Sequence, residues 1–171
     1  MGRTVLLSGR PGVGKTTLIK ELLGALPGES GGFYTQEIRE GGRRLGFEIV
    51  TLSGERATLA HVEATAGPRV GKYGVYVENI DRVAVPAVYQ AVAEADYVVV
   101  DEIGKMELFS ETFRIAVLDA VASPKIVLGT VMSKAHPWVD GLKKMSEVQV
   151  VVVTLANRGG LVQRILPMLT S

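Results

Sequence analysis

The chain has 171 residues, length for about one compact domain, and 1–171 reads as a single domain. With 47% apolar and 22% charged residues it carries enough side chains for a sizeable core, which excludes a disordered or low-complexity chain. Nineteen Lys plus Arg against eighteen Asp plus Glu leave a net charge of +1, which disfavours a protein built to coat nucleic acid, and the absence of Cys excludes disulfides, thiolate metal sites and cysteine nucleophiles.

Residues 3–8 are a β-branched and Leu-rich run stopped by Gly9, the pattern of a buried strand. Residues 16–26 put Leu18, Ile19, Leu22, Leu23 and Leu26 on one helical face, ended by Pro27-Gly28. Residues 33–40 and 43–52 flank Gly41-Gly42, and Leu45, Phe47 and Ile49 alternate with Gly46, Glu48 and Val50, which predicts a β-hairpin. Residues 71–77 add a strand, and 79–95 carry Val83, Ala84, Ala87, Val88, Ala91 and Val92 at helical spacing, bent or interrupted at Pro86.

From there the chain alternates strictly: strand 97–101, helix 110–122 with Ser110 as N-cap, strand 125–131, helix 137–145, strand 148–154, helix 160–169. Such alternation with apolar strands predicts an α/β fold with a mainly parallel sheet and helices on both faces. The hairpin, about 31–53, reads as an insertion in it. No apolar stretch approaches the roughly 18 residues of a membrane span, and Met1-Gly2-Arg3 leads straight into 4–7 without a signal-peptide core, so the expectation is a cytoplasmic protein. Few amides and no Cys lean towards a thermophile.

Gly9-Arg10-Pro11-Gly12-Val13-Gly14-Lys15-Thr16 fits the P-loop pattern G-x-x-x-x-G-K-[ST], after an apolar strand and opening an amphipathic helix. Its glycines let consecutive N–H groups point at a β-phosphate, and the helix N-terminus adds the positive end of its dipole. Lys15 then bridges the β- and γ-phosphates, Thr16 offers its hydroxyl to Mg²⁺, and Thr17 completes the phosphate-binding run. The strand 97–101 empties into Asp101 and Glu102, the acid pair wanted beside the P-loop strand. Asp101 is the candidate for Mg²⁺ through water. Glu102, expected to face the other way off the strand end, is the candidate base for a water in line with the γ-phosphate. Asp101-Glu102-Ile103-Gly104 also matches the D-x-x-G element of GTPases, but the late Asn157-Arg158-Gly159-Gly160 lacks the acid that pairs with guanine, so base recognition is expected to be loose.

In combination these motifs resemble one family, the small P-loop nucleoside-triphosphatases found in thermophiles and represented in animals by the cancer-related nucleoside triphosphatase. The likeness also covers Gly32-Phe33-Tyr34-Thr35 with Arg39, Arg44-Leu45-Gly46-Phe47, Val70-Gly71-Lys72-Tyr73, Asp101-Glu102-Ile103-Gly104-Lys105-Met106-Glu107-Leu108, and Asn157-Arg158. It implies a RecA-like sheet and slow, Mg²⁺-dependent hydrolysis of several nucleoside triphosphates to diphosphate and phosphate. Where the family often follows Asn-Arg with an acid, this chain has Gly159.

Arg158, at a strand-to-helix turn, is the preferred arginine finger, with a surface Arg as the alternative. Arg39, Arg43 and Arg44 read as a solvated hairpin tip, Phe33 and Tyr34 as hairpin core rather than a base-stacking pair, and His61 as structural. Thr130 is placed to sense the γ-phosphate through the attacking water, His136 to cap a helix, and Lys105 and Glu107 have no assigned chemistry. Besides hydrolysis, two alternatives stand: a nucleotide or small-molecule kinase, opposed by a 133–140 segment with no Arg for a lid, and a nucleotide-dependent RNA- or protein-binding module. A monomer is favoured.

Overall fold

The computed structural model describes residues 2–171. In chain order the elements are β1 (Thr4–Ser8), α1 (Lys15–Ala25), β2 (Ser30–Glu40), β3 (Arg43–Thr51), β4 (Arg56–His61), β5 (Arg69–Val70), β6 (Tyr73–Val75) and α2 (Val77–Asn79). A π-helical segment, Ile80–Ala84, leads into α3 (Val85–Glu94); then come β7 (Tyr97–Ile103), a 3₁₀ turn at Glu107–Phe109, α4 (Glu111–Ala122), β8 (Ile126–Val131), α5 (Pro137–Lys143), β9 (Val148–Val152), a 3₁₀ turn at Arg158–Gly160 and α6 (Leu161–Thr170). Among the described residues no helix is long and apolar enough to cross a membrane.

Among the described residues the nine strands form one sheet, in the order β5-β6-β4-β3-β2-β7-β8-β1-β9. From β2 to β9 every pairing is parallel, as the βα alternation predicts. Two neighbourhoods differ from expectation. The carboxylate strand β7 does not lie beside the P-loop strand β1; β8 runs between them. The hairpin is also more than an insertion, because β2 pairs in parallel with β7 through Ser30 to Phe33 before it pairs antiparallel with β3. The antiparallel part continues through β4, which the sequence reading missed, to a small β5–β6 hairpin at Gly71 in place of one strand over 71–77. Ala57 and Ala60 dilute the β-forming signal of 56–61, whose order comes from pairing with β3 rather than from propensity.

Alternating strand residues divide between two cores, one on each sheet face. Val5, Leu7, Val99 and Leu128 meet Leu18, Ile19 and Leu22 of α1 and Leu161, Ile165 and Leu169 of α6. Leu6, Val98, Val100 and Val127 meet α3, α4 and α5 through residues such as Val88, Phe113, Val117 and Leu142. The expected interruption of the helix before β7 falls upstream of Pro86, in the π-helical segment; Pro86 itself occupies the first turn of α3, where a missing N–H is tolerated.

Ser110 caps α4, accepting a hydrogen bond from the Phe113 amide at 3.0 Å. The fully buried rings of Phe33 and Phe113 meet edge to face, centroids 6.0 Å apart, which fastens β2 to α4. Phe113→Ala is expected to lower unfolding free energy by about 3–5 kcal/mol, read as a lower urea midpoint at unchanged m-value.

Candidate active site

The P-loop leaves β1 at Ser8 and turns through Gly12 and Gly14, whose φ angles of 81° and 106° lie in the left-handed region that suits glycine. Gly14 caps α1 with no side-chain hydrogen bond, so the amides of the first turn face the loop's concavity without an internal acceptor. Gly9 is needed for close approach, since a Cβ there would lie 2.7 Å from the Val153 carbonyl of the neighbouring chain segment. Arg10, Pro11, Gly12 and Thr17 are exposed around this concavity, whereas Val13 and Lys15 are buried.

Lys15 Nζ donates to the Gly9 carbonyl at 2.8 Å and to Glu102 Oε2 at 3.2 Å. Thr16 Oγ1 donates to Asp101 Oδ2 at 2.9 Å, and Thr130 Oγ1, from the intervening strand β8, donates to Asp101 Oδ1 at 2.6 Å. The two P-loop side chains and the two β7 carboxylates therefore form one polar cluster. Glu102 does not face away from the loop as strand alternation predicts. The β7–β8 register slips between Val100 and Ile103, which breaks the alternation at these two residues and lets both carboxylates reach the P-loop. Thr130, expected to act through a water, instead spends its hydroxyl on Asp101.

Asp101 is 2% exposed, and its carboxyl is pushed up from 3.8 to about 6, by burial first, with the two threonine hydroxyls pulling the other way. Glu107 is also buried, and burial together with the charges of Glu102 and Asp101 pushes its carboxyl well above the usual range. Sequence reasoning left Glu107 without chemistry; its signal was an acid flanked by Met106 and Leu108, both packed on the core.

Arg158 joins the loop from the other side, Nη1 donating to the Val13 carbonyl at 3.2 Å and lying 3.7 Å from where a Gly14 Cβ would be. Asn157 turns its amide onto its own turn, Oδ1 accepting from the Thr154 amide and Nδ2 donating to the Val152 carbonyl.

The remaining candidates lie outside this cluster. Phe33 is core, and the ring of Tyr34 is faced by Lys20 Nζ at 4.6 Å from its centroid. Arg39 and Arg44 pair with Glu37, Arg44 also donates to the Tyr73 hydroxyl, Arg43 is exposed, and so is Lys105. His136 Nδ1 accepts from the Trp138 amide as the cap of α5, and His61 Nδ1 accepts from the Glu63 amide.

The Thr130 hydroxyl is fully buried with Asp101 Oδ1 as its partner. Thr130→Val is therefore expected to destabilise the fold by about 1–3 kcal/mol at neutral pH, measured by denaturant titration, because it strands an acceptor of a buried carboxylate.

Residues 4–166 match a family model described as NTPase. A nucleoside-triphosphatase THEP1 of Thermotoga maritima is 43% identical over 165 residues, covering 96% of this chain and 94% of that protein. One from Thermofilum pendens is 46% identical over 91% of this chain and 89% of its own length. Two solved structures share the fold: THEP1 from the hyperthermophile Aquifex aeolicus, at 33% identity and TM-score 0.89 over 98% of this chain and 99% of that one, and a human cancer-related nucleoside triphosphatase, at 39% and 0.81 over 98% and 97%. With a family match across nearly its whole length and relatives this similar end to end, the chain belongs to the P-loop NTPase family of these nucleoside-triphosphatases.

Proposed function

We propose that this protein hydrolyses nucleoside triphosphates to diphosphate and phosphate, with Mg²⁺ as cofactor and Glu102 as the general base for water. One observation carries the reading: Lys15 and Thr16 of the P-loop meet Glu102 and Asp101 at 3.2 and 2.9 Å, so phosphate-binding and water-activating groups share one cluster. The oxygens of Thr16 and Asp101 are hard donors, and among the described residues Asp101 forms no ion pair, which suits Mg²⁺. When bound, that ion would supply positive charge at the β- and γ-oxygens.

The chain's own groups do the rest. Lys15 exchanges Glu102 for the polyphosphate tail, which frees Glu102 Oε2 to accept a proton from water. P-loop amides and Lys15 then hold the charge that accumulates on the γ-oxygens, and Arg158, already on the loop, adds a second cation. Both amide atoms of Asn157 are engaged by its own turn, which holds the side chain there and supports broad tolerance of the nucleobase.

Lys15→Ala and Glu102→Gln are each expected to cut phosphate release by about 10²-fold or more, and Glu102→Gln should keep its affinity for a non-hydrolysable analogue. Wild-type turnover by Glu102→Gln would remove the base assignment. Arg158→Ala is expected to lower kcat about 10²-fold with little change in analogue binding.

Acid should also act through Asp101. Burial pushes its carboxyl up to about 6, and it must be ionised to hold a cation, so kcat/KM is expected to fall as pH drops through about 6, well above the 3.8 of an ordinary aspartate. For stability the sign is opposite: a raised value favours the folded free protein at low pH, and that contribution is lost as pH rises through about 6.

A further inference from the structure

Glu107 is a buried acid outside the cluster just described. It opens the 3₁₀ turn after β7, and that turn is held tightly: Leu108 donates its amide to the Gly104 carbonyl at 3.0 Å, and Ser110 donates its own to the Glu107 carbonyl at 3.1 Å. Ser110 then caps α4 and also hydrogen-bonds Asp81 of the π-helical segment. Glu107 is only 4% exposed, and among the described residues no Lys, Arg or His forms an ion pair with it. Burial without a cation to pair with disfavours the charged form of such a carboxyl. Burial and the Glu102 charge both favour the neutral acid, against the amides of Glu107 and Gly104.

Its direction matters as much as its charge. A Cβ on Gly104 would lie 2.6 Å from Glu102 Oε1 and 3.1 Å from Glu107 Oε1. Both carboxyl groups thus converge on the bare face of one glycine. Glu102 Oε2 points instead to Lys15. The two oxygens of the candidate base therefore have separate surroundings, one towards the P-loop and one towards Glu107.

We infer that Glu107 is a positioning residue for Glu102: a buried neutral carboxyl that steadies Oε1 across Gly104 while Oε2, given up by Lys15, addresses the water. This rests on the reading of Glu102 as the general base. A carboxylic acid kept neutral in an apolar site can donate a hydrogen bond to a charged neighbour, which is the advantage of an acid over a hydrophobic residue here.

The test is hydrolysis kinetics of Glu107→Gln, Glu107→Ala and Gly104→Ala with Glu102→Gln in parallel, together with calorimetric binding of a non-hydrolysable ATP analogue and Mg²⁺. Glu107→Ala is expected to lower kcat by about 10- to 100-fold with KM and analogue affinity within about twofold, and Glu107→Gln, neutral and still a donor, to stay within about threefold of wild type. Gly104→Ala drives a methyl group between the two carboxyls without removing either, and is expected to lower kcat about tenfold or more, so a Glu107→Ala protein that fails to fold leaves the inference exposed to refutation. In the infrared spectrum of the wild-type protein at pH 8, above the value of about 6 to which Asp101 is pushed, a carbonyl band of a protonated carboxylic acid should be present and should disappear in Glu107→Gln, and its absence from the wild type would overturn the inference.

A Glu107→Gln enzyme as slow as Glu107→Ala would mean that the charge is required, and would overturn the inference. Wild-type kcat in Gly104→Ala, or in Glu107→Ala beside an inactive Glu102→Gln, would overturn it while sparing the base assignment. Wild-type kcat in Glu102→Gln would overturn both.

Discussion

Lys15 and Thr16 can meet Glu102 and Asp101 only if the ends of β1 and β7 are held at one separation, and β8 sets it. That strand lies between the two, pairs with β1 through Thr4 to Ser8, and pairs with β7 up to Val100 before the register slips. Thr130 then fixes Asp101 from the middle of the gap while Thr16 fixes it from the loop, so each carboxylate oxygen has one hydroxyl donor. Two neutral donors make a buried carboxylate tolerable without neutralising it. The shift from 3.8 to about 6 corresponds to about 3 kcal/mol against the ionised form, an unfavourable term that an arriving cation would relieve. On the proposed reading, the free fold holds Asp101 under an electrostatic tension that a bound cation, rather than a protein side chain, would relieve.

The antiparallel half of the sheet is tied to this arrangement through β2. At Gly32 the φ angle is 108° and a Cβ would lie 2.1 Å from the Val99 carbonyl, so only glycine lets β2 lie this close to β7. One residue later Phe33 packs into the core beside Phe113, and beyond it β2 leaves β7 and continues with β3 alone. The polar network on the hairpin joins Gln36 and, from β4, Arg56 to Glu48, joins Arg39 and Arg44 to Glu37, and reaches β6 where Arg44 donates to the Tyr73 hydroxyl. Exposed pairs of this kind contribute little stability, and Glu37 alone is shared by two of the three arginines that the sequence places at the tip.

What was legible in the sequence was what depends on short-range pattern. The P-loop, the run of βα units, the Ser110 cap and the burial of Phe33 all follow from residues within a few positions of one another. The order of strands does not. Nothing local says that 126–131 slides between 4–8 and 97–103, or that 56–61, with two alanines in six residues, finds an edge to pair with. The failure at Glu102 has the same origin. Alternation along β7 is a sound rule up to Val100, and it ends where a tertiary pairing inserts an extra residue, which a single strand's sequence does not announce. Glu107 was legible as an oddity, an acid between two apolar neighbours, but not as a group facing Glu102, because that depends on how the turn at Gly104 folds back.

The two ends of a bound nucleotide would meet different kinds of surface. At the phosphate end the groups come from β1, α1, β7, β8 and the turn before α4, elements knitted by parallel pairing and capped helices, and each polar side chain there has a partner or an evident claim on one. The turn after β9 is closed on itself, Asn157 bridging Thr154 and Val152 and leaving Leu155 72% exposed, while Arg158 reaches towards the loop. Discrimination between ligands needs buried donors and acceptors that a wrong ligand leaves unpaired. On the proposed reading, such groups are concentrated where all nucleoside triphosphates are alike, at the phosphates, and broad tolerance of the base would follow from where the fold places its polar order.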